Sequence, residues 1–237
     1  MEQRDNSAFL ADLKEWNIEL NEIQLAQLEK YYEMLVEKNK VMNLTGITEW
    51  DEVLEKHFLD SISLIRVMNL RQNISVIDMG TGAGFPGIPL KIAFPELKVT
   101  LADSLNKRVL FLQEVIDVLG LEDIEAIHGR AEDLARDKKY REAYDLSVSR
   151  AVANLSTLSE YCLPFVKKGG SFIALKGDAE EEVKESLNAF SILGGKLKDK
   201  INYNLFESKR CIIIVDKIKN TPEKYPRGRG KERKSPL

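Results

Sequence analysis

Cysteine is nearly absent: Cys162 and Cys211 are the only two in 237 residues. They lie far apart and carry no accompanying ligand spacing, which excludes a disulfide framework and gives no support to a zinc site. Two buried thiols are the plain reading. Long apolar runs are missing as well. None approaches the roughly 18 to 20 residues that span a bilayer, and the opening residues lack a basic, apolar, then small-residue leader pattern, so the cytoplasm is the expected compartment. There is little excess of either charge. With 38 Asp/Glu against 35 Lys/Arg the net is -3, which argues against a protein that coats nucleic acid indiscriminately. No internal repeat or low-complexity stretch precedes the tail.

What remains is an ordinary globular composition, 43% apolar and 31% charged, on a chain long enough for one large domain or a core domain with an appendage. The small net charge hides a gradient. Residues 1–60 carry 14 Asp/Glu against 6 Lys/Arg, a balance of -8, whereas residues 221–237 carry 6 Lys/Arg against 2 Glu, a balance of +4. A basic tail on an acidic body suits local docking on a polyanion, and it equally suits a solvated tail that keeps the protein soluble.

The first 70 residues read as helical. Asn21 followed by Gln24 has the spacing of a capping box, and Ile23, Leu25, Leu28, Tyr32, Leu35 and Val36 then broadly follow helical periodicity. A second helix start is expected at Thr48 with Asp51 at capping distance, and a further helix over 61–68. From residue 74 short β-branched runs alternate with helical stretches. Strands are expected over 74–79, 98–102, 124–128, 145–148 and 171–176, with connections long enough for parallel crossovers. Segments 200–206 and 211–217, joined by 207–210, form a terminal hairpin that adds an antiparallel edge. The expected fold is therefore α/β: a Rossmann-like, mixed seven-stranded sheet with a C-terminal antiparallel hairpin and an N-terminal helical extension. The expected segments are a helical region over 1–70, a catalytic domain over 71–220 and a basic tail over 221–237.

The strongest local signal directly follows the first expected strand: Asp78, Gly80, Gly82, Gly84, Phe85, Pro86 and Gly87. Glycines there let a ligand approach the main chain, and the following helix points its N-terminus at that ligand. Two registers compete. The Asp78-x-Gly80-x-Gly82-x-Gly84 form suits S-adenosylmethionine, and Gly82-x-Gly84-x-x-Gly87 suits a dinucleotide. Charge favours the first. A carboxylate beside the loop attracts a sulfonium and repels a pyrophosphate, and Pro86 removes a backbone donor that a phosphate wants. Asp103, ending the second strand, is placed to accept from ribose hydroxyls, which suits either cofactor. After the third strand, Ala131 is small enough for an adenine ring to pass, while Arg130 and Glu132 have the spacing of a surface ion pair.

Acceptor chemistry leaves marks after the fourth strand. An adenine amine usually comes with an Asn-Pro-Pro-aromatic loop and cytosine carbon-5 with a cysteine nucleophile, whereas residues 147–154 read Ser-Val-Ser-Arg-Ala-Val-Ala-Asn. Guanine N7 already offers a lone pair, needs no general base, and remains compatible with that loop. Arg150 in this segment suits a phosphate or the carboxylate of the cofactor.

Taken in order, the stretches 39–45, 57–61, 78–89, 103–108, 129–132, 149–151, 175–177 and 221–237 resemble the ribosomal small-subunit methyltransferase G family, also called glucose-inhibited division protein B. The resemblance implies a class I S-adenosylmethionine-dependent enzyme that forms 7-methylguanosine in 16S ribosomal RNA near the decoding centre, in its 530-loop region, acting on the small subunit or an assembly intermediate. It implies no metal, no membrane and no catalytic base. Carried over by position, Gly80, Phe85, Asp103, Ala131, Glu132 and Arg150 line the cofactor pocket, together with Asp78, Gly82 and Gly84 of the loop. RNA contacts are expected from Asn39, His57 and Lys176, and from Arg227, Arg229 and Lys231 in a tail that orders on RNA. Each has a simpler alternative. Asn39 or Asn43 can end a helix, His57 can be a satisfied core histidine, and the tail can stay solvated.

Overall fold

The computed structural model describes residues 5–150, 153–205 and 208–237. The N-terminal region holds α1 (Ser7–Glu15), α2 (Glu22–Met42), α3 (Trp50–Val53), a wide π-helical turn (Leu54–Leu59), α4 (Asp60–Ile62) and a 3-10 turn (Ser63–Arg66). The capping box forms as its spacing predicts. The Asn21 side chain accepts from the Gln24 amide, and the Gln24 side chain accepts from the Asn21 amide, each at 2.9 Å. Asn43 ends α2 in the left-handed region at φ 49°. Three details differ from the sequence reading. The residue preceding α3 is Glu49, which makes no side-chain cap, and the helix expected over 61–68 is broken into two short pieces. The core face of α2 also turns on Tyr31 rather than Tyr32, and Ile23 is 70% exposed.

Seven strands follow among the described residues: β1 (Ser75–Met79), β2 (Lys98–Asp103), β3 (Ile124–His128), β4 (Tyr144–Arg150), β5 (Val166–Lys176), β6 (Gly195–Leu205) and β7 (Ser208–Lys217). They form one sheet in the order β3-β2-β1-β4-β5-β7-β6. The first five are mutually parallel, and β7 runs antiparallel between β5 and β6. The expected hairpin is thus present but longer. Its second strand begins at Ser208, so Lys209 and Arg210 belong to it, while Phe206 and Glu207 of the expected strand and linker lie outside the described residues. The crossover helices are α5 (Gly87–Ala93), α6 (Asn106–Leu119), α7 (Ala131–Leu134), α8 (Leu155–Cys162) and α9 (Glu180–Ile192). The strand order reverses beside β1, and the crevice outside the carboxyl ends at such a switch point is where α/β sheets hold ligands.

Each face of the sheet has its own core. One side joins the N-terminal helices to the sheet in a single cluster, with Phe9, Leu28, Leu35 and Phe58 packed together with Val76, Val99 and Leu146. Phe58 and Tyr31 are fully buried there, and each such aromatic contributes about 2 to 3 kcal/mol of burial. Side chains reinforce the contact: the Gln24 amide donates to the Ile92 carbonyl at 2.7 Å and that of Gln27 to the Leu119 carbonyl at 2.9 Å. The other side packs α8 and α9 on the sheet and includes Tyr225 of the tail. Both cysteines are buried and unpaired, as expected.

The tail packs against the body of the protein along its described length. Its residues Lys231–Lys234 form one helical turn, α10. Polar anchors hold it there. Glu160, fully buried, accepts a bidentate pair from Arg227, with Nη2 to Oε2 at 2.7 Å and Nε to Oε1 at 3.0 Å. Arg141 donates to the Thr221 and Tyr225 carbonyls, and Thr157 Oγ1 donates to the Glu232 carbonyl. Lys217, also buried, starts the segment by donating to the Leu163 carbonyl and to Thr221 Oγ1.

Candidate active site

Two adjoining cavities of about 360 and 380 Å³ open at the carboxyl ends of β1, β2 and β3, and they share Gly80, Asp103, Ser104 and Arg233. The first is bounded by Met79, Ala102, Leu105, Gly129 to Glu132, Tyr161 and Glu232. The second is bounded by Thr45, His57, Thr81 to Ala83, Phe85, Arg108 and Arg150.

Parallel register explains the first cavity. Met79 pairs with Ala102 and Asp103 with His128, so three strand ends finish level and present their loops to one crevice. Asp103 is 3% exposed. Its Oδ1 accepts from the Leu105 amide at 2.9 Å and its Oδ2 from the Gly82 amide at 3.0 Å, which leaves Oδ1 a lone pair for a further donor. Gly82 has φ +64°, and a Cβ there would point into open space. Leu105, 43% exposed, supplies an apolar wall. These features fit an adenosyl group: a recess at a glycine backbone, a carboxylate for hydroxyls and an apolar surface for a ring. Ala131 and Glu132 line the same recess, and Glu132 lies 3.8 Å from Arg130 as the ion pair its spacing allowed.

Asp78 and Gly84 do not bound either cavity. The sequence reading put Asp78 beside the ligand, but the carboxylate is fully buried under the loop. Its Oδ2 accepts from Thr81 Oγ1 at 2.6 Å and from the Gly87 amide at 2.8 Å, so it braces the turn from below. Burial pushes its pKa up to about 7, which makes it a poor fixed anion for a cation. Gly84, at φ +112°, serves packing: a Cβ would sit 2.5 Å from Ile88 Cδ1 and 2.8 Å from Tyr31 Oη. The close approach lets Tyr31 donate to the Ala83 carbonyl at 2.7 Å, tying α2 to the loop.

The second cavity is assembled from distant segments. The Arg150 guanidinium lies 4.9 Å from the centre of the Phe85 ring. It donates to the Lys56 carbonyl at 3.0 Å and to Asp60 Oδ2 at 3.1 Å. Asp60 is 3% exposed and also accepts from Arg210 Nε at 3.1 Å, so one carboxylate holds two arginines and the group keeps a positive excess. His57 packs against Phe85 with ring centres 4.5 Å apart and the planes tilted by 32°. Burial, and then the Arg150 charge, lowers its pKa to about 4, so the ring is neutral. His57 Nδ1 lies 3.0 Å from the Lys56 carbonyl, which can only accept, and 3.2 Å from Arg150 Nη2, which can only donate, so a donor and an acceptor meet at the same ring nitrogen. The other ring nitrogen, Nε2, is hydrogen-bonded with Thr45 Oγ1 at 2.8 Å. Asn39 holds the Thr45 loop, accepting from the Leu44 and Thr45 amides at 2.6 and 2.9 Å and donating to the Thr45 carbonyl at 2.8 Å.

Other expected contacts fall elsewhere. Lys176 donates to Glu182 Oε2 at 2.6 Å and to the Ala153 carbonyl at 2.7 Å, and it lines neither cavity. Arg227 is held by Glu160, whereas Arg229 and Lys231 are exposed beside Arg130, Arg136 and Lys224. Ala151 and Val152 of the fourth-strand motif lie outside the described residues. Sequence reasoning missed Tyr31, Thr45, Asp60, Arg108, Arg210, Tyr161, Glu232 and Arg233. Thr45, Asp60, Arg108, Glu232 and Arg233 lay within stretches that carry the family resemblance, whereas Tyr31, Tyr161 and Arg210 did not. Among the described residues no group of three or more His, Cys, Asp or Glu side chains is placed to hold a metal.

Comparison with known proteins bears on this geometry. The profile of the family described as rRNA small subunit methyltransferase G matches residues 24–209. The chain belongs to that family. It is 53% identical to the ribosomal RNA small subunit methyltransferase G of Lachnoclostridium phytofermentans, an alignment covering 99% of this chain and 98% of the relative. It is 49% identical to the protein of that name from a Thermoanaerobacter species, covering 100% of both. Among solved structures it resembles M. jannaschii TYW2 in complex with AdoMet, with a TM-score of 0.56 at 17% identity over 73% of this chain and 80% of that one. A SAM-dependent methyltransferase from Aquifex aeolicus gives 0.53 at 19% identity over 69% and 92%. These likenesses show the class I fold expected from strand order, and family membership makes the chain an S-adenosylmethionine-dependent methyltransferase.

Proposed function

We propose that this enzyme transfers a methyl group to N7 of a guanine in 16S ribosomal RNA, in the 530-loop region, and that it acts as a cytoplasmic monomer, without a metal, on the small subunit or an assembly intermediate. The observation that carries the reading is the pairing of the two cavities through Asp103 and Gly80. A recess suited to an adenosyl group opens beside one lined by three arginines, Arg108, Arg150 and Arg233, and a neutral histidine, with Asp103 shared between the two. Bound at the first recess, the cofactor supplies an activated methyl group.

In this reading Asp103 accepts from the ribose hydroxyls, the main chain at Ala131 and Glu132 meets the adenine edge, and Gly80, Gly82 and Phe85 border the path to the acceptor. Arg150, clamped by Asp60, anchors a phosphate of the RNA or the carboxylate of the cofactor. The neutral imidazole suits an N7 acceptor. N7 carries no proton to remove, and a neutral ring does not repel the positive charge that methylation leaves on the base. His57 therefore positions rather than abstracts, and Asn39 acts through the Thr45 loop. The target base is splayed from its loop to reach the cleft, as enzymes acting on bases require. The three expected segments divide the work: 1–70 builds the acceptor side, 71–220 the cofactor side, and 221–237 carries the exposed basic residues Arg229 and Lys231 for phosphate contact.

The deciding experiment is transfer of a tritiated methyl group to small subunits from cells lacking this gene, followed by nucleoside analysis. Label in 7-methylguanosine mapped to the 530 loop is expected. Label in another nucleoside, or none on intact subunits, overturns the reading.

A further inference from the structure

The tail's inner face carries a group that nothing described so far uses. Glu232, on α10, is 1% exposed and lines the adenosyl cavity with Asp103, Ala131, Glu132 and Tyr161. Its Oε1 accepts from Tyr161 Oη at 3.0 Å, and Tyr161 Oη in turn accepts from Arg233 Nε at 3.2 Å. Its Oε2 is buried and has no hydrogen-bond partner. A buried carboxylate oxygen without a donor is costly, so a donor is due to it from whatever fills the cavity. The segment that carries it is built to stay. Thr157 holds the Glu232 carbonyl, Ser156 Oγ donates to the Leu237 carbonyl at 2.9 Å, and the buried Arg227–Glu160 pair fixes the chain just before it.

We infer that Glu232 is a cofactor-binding residue, and that the tail forms a wall of the methyl-donor site, accepting a hydrogen bond from the exocyclic amine of the adenine through Glu232 Oε2. The choice of atom follows by elimination. The adenosyl group offers two kinds of donor, the ribose hydroxyls and the exocyclic amine, and the cofactor's third donor, the ammonium of its amino-acid part, lies beyond the ribose toward the second cavity, which Glu232 does not line. Asp103, at the end of β2, takes the hydroxyls. The amine has two hydrogens, so one reaches the Ala131–Glu132 turn and the other the facing wall, where Glu232 stands. This rests on the cofactor half of the proposed function and is independent of which RNA base is methylated.

The test is calorimetric binding to the full chain of S-adenosylhomocysteine and of S-inosylhomocysteine, in which a carbonyl replaces the amine. The unaltered protein is expected to prefer the adenosyl ligand by at least about tenfold. Glu232→Gln is expected to weaken the adenosyl ligand about tenfold and the inosyl ligand little or not at all, because its amide can donate to the carbonyl. Equal weakening of both ligands, or no change in either, overturns the assignment. Near-UV circular dichroism checks folding; should the glutamine variant not fold, Glu232→Asp carries the same comparison and must also narrow the preference. Failure of the unaltered protein to bind S-adenosylhomocysteine at all would instead overturn the cofactor reading itself.

Discussion

The cavity proposed for the adenosyl group and the one proposed for the acceptor are built on opposite plans. The first rests on the ends of neighbouring parallel strands, is rich in carboxylates, and is shaped largely by residues within 79–132. The second draws Thr45, His57, Phe85 and Arg150 from segments far apart in the chain, is rich in cations, and depends on one buried carboxylate, Asp60. The difference teaches where each side is vulnerable. A strand end is fixed by its ladder, so single substitutions on the adenosyl side remove a contact and little else. The acceptor side is fixed by side chains, so removing one of them displaces others.

The sharpest way to break the comparison is pH, because the buried carboxyl under the glycine loop and the buried imidazole of the second cavity both have displaced pKa values, and the two act in opposite directions. The unfolded chain releases the Asp78 proton near 3.8, but the folded protein keeps it to about 7. That contribution is present at low pH and is lost as pH rises from about 4 to 7. The unfolded chain protonates His57 near 6.5, but the folded protein does so only near 4. That contribution is present above 6.5 and is lost as pH falls to 4. By linkage they amount to about 4 and about 3 kcal/mol, so they largely cancel between. Urea unfolding at pH 4.5 and 6.5 is expected to show Asp78→Asn gaining stability with pH more steeply than the unaltered protein, and His57→Gln losing it. Identical slopes in all three proteins would mean that neither group is buried as described.

Next in size is Asp103→Ala, expected to weaken S-adenosylhomocysteine by about 3 kcal/mol, more than a hundredfold in calorimetry, with affinity for small subunits unchanged. Arg150→Ala sharpens the contrast further. A loss of about a hundredfold in kcat/KM on small subunits with cofactor affinity within threefold would place Arg150 on the acceptor. An equal loss in both would move it to the cofactor's carboxylate. The same substitution leaves Asp60 with Arg210 as its remaining ion-pair partner, so a stability loss of about 3 kcal/mol is expected, which Asp103→Ala lacks. The smallest effects belong to the tail. Arg229→Ala and Lys231→Ala are each expected to reduce the salt dependence of subunit binding by about one unit of slope, while Lys176→Ala, whose ammonium is bound to Glu182, leaves that slope unchanged.

This contrast also explains what could be read in advance. The alternation of short β-branched runs with helical stretches was enough for the sheet and its terminal hairpin, because parallel strands demand crossovers. Asp103 was singled out as the end of its own strand and the Ala131–Glu132 turn through the family resemblance, and both line the first cavity. The same local logic misplaced Asp78 and Gly84. Proximity in sequence to a glycine loop does not say which side of the turn a side chain takes, and both serve the turn's underside. The acceptor side was only partly visible. Arg150 stood out as a charge at a strand end, but Asp60 and Arg210 meet through a fold that brings α4 to β7, and no spacing encodes that meeting. Glu232 was hidden for the same reason, since a glutamate among lysines and arginines reads as part of a solvated run.

The wide turn at Leu54–Leu59 has one further consequence. A helix of 3.6 residues per turn advances about 100° with each residue, and a π-helical turn absorbs one residue more than that winding allows. The phase of everything before it is therefore offset from everything after it, and within this turn the His57 ring and the Lys56 carbonyl both reach Arg150. Deleting one residue there, so that the stretch winds as a regular α-helix, would swing the imidazole out of step with the Phe85 ring while Asp60 held its place. The acceptor pocket thus depends on a count of residues as much as on their identity.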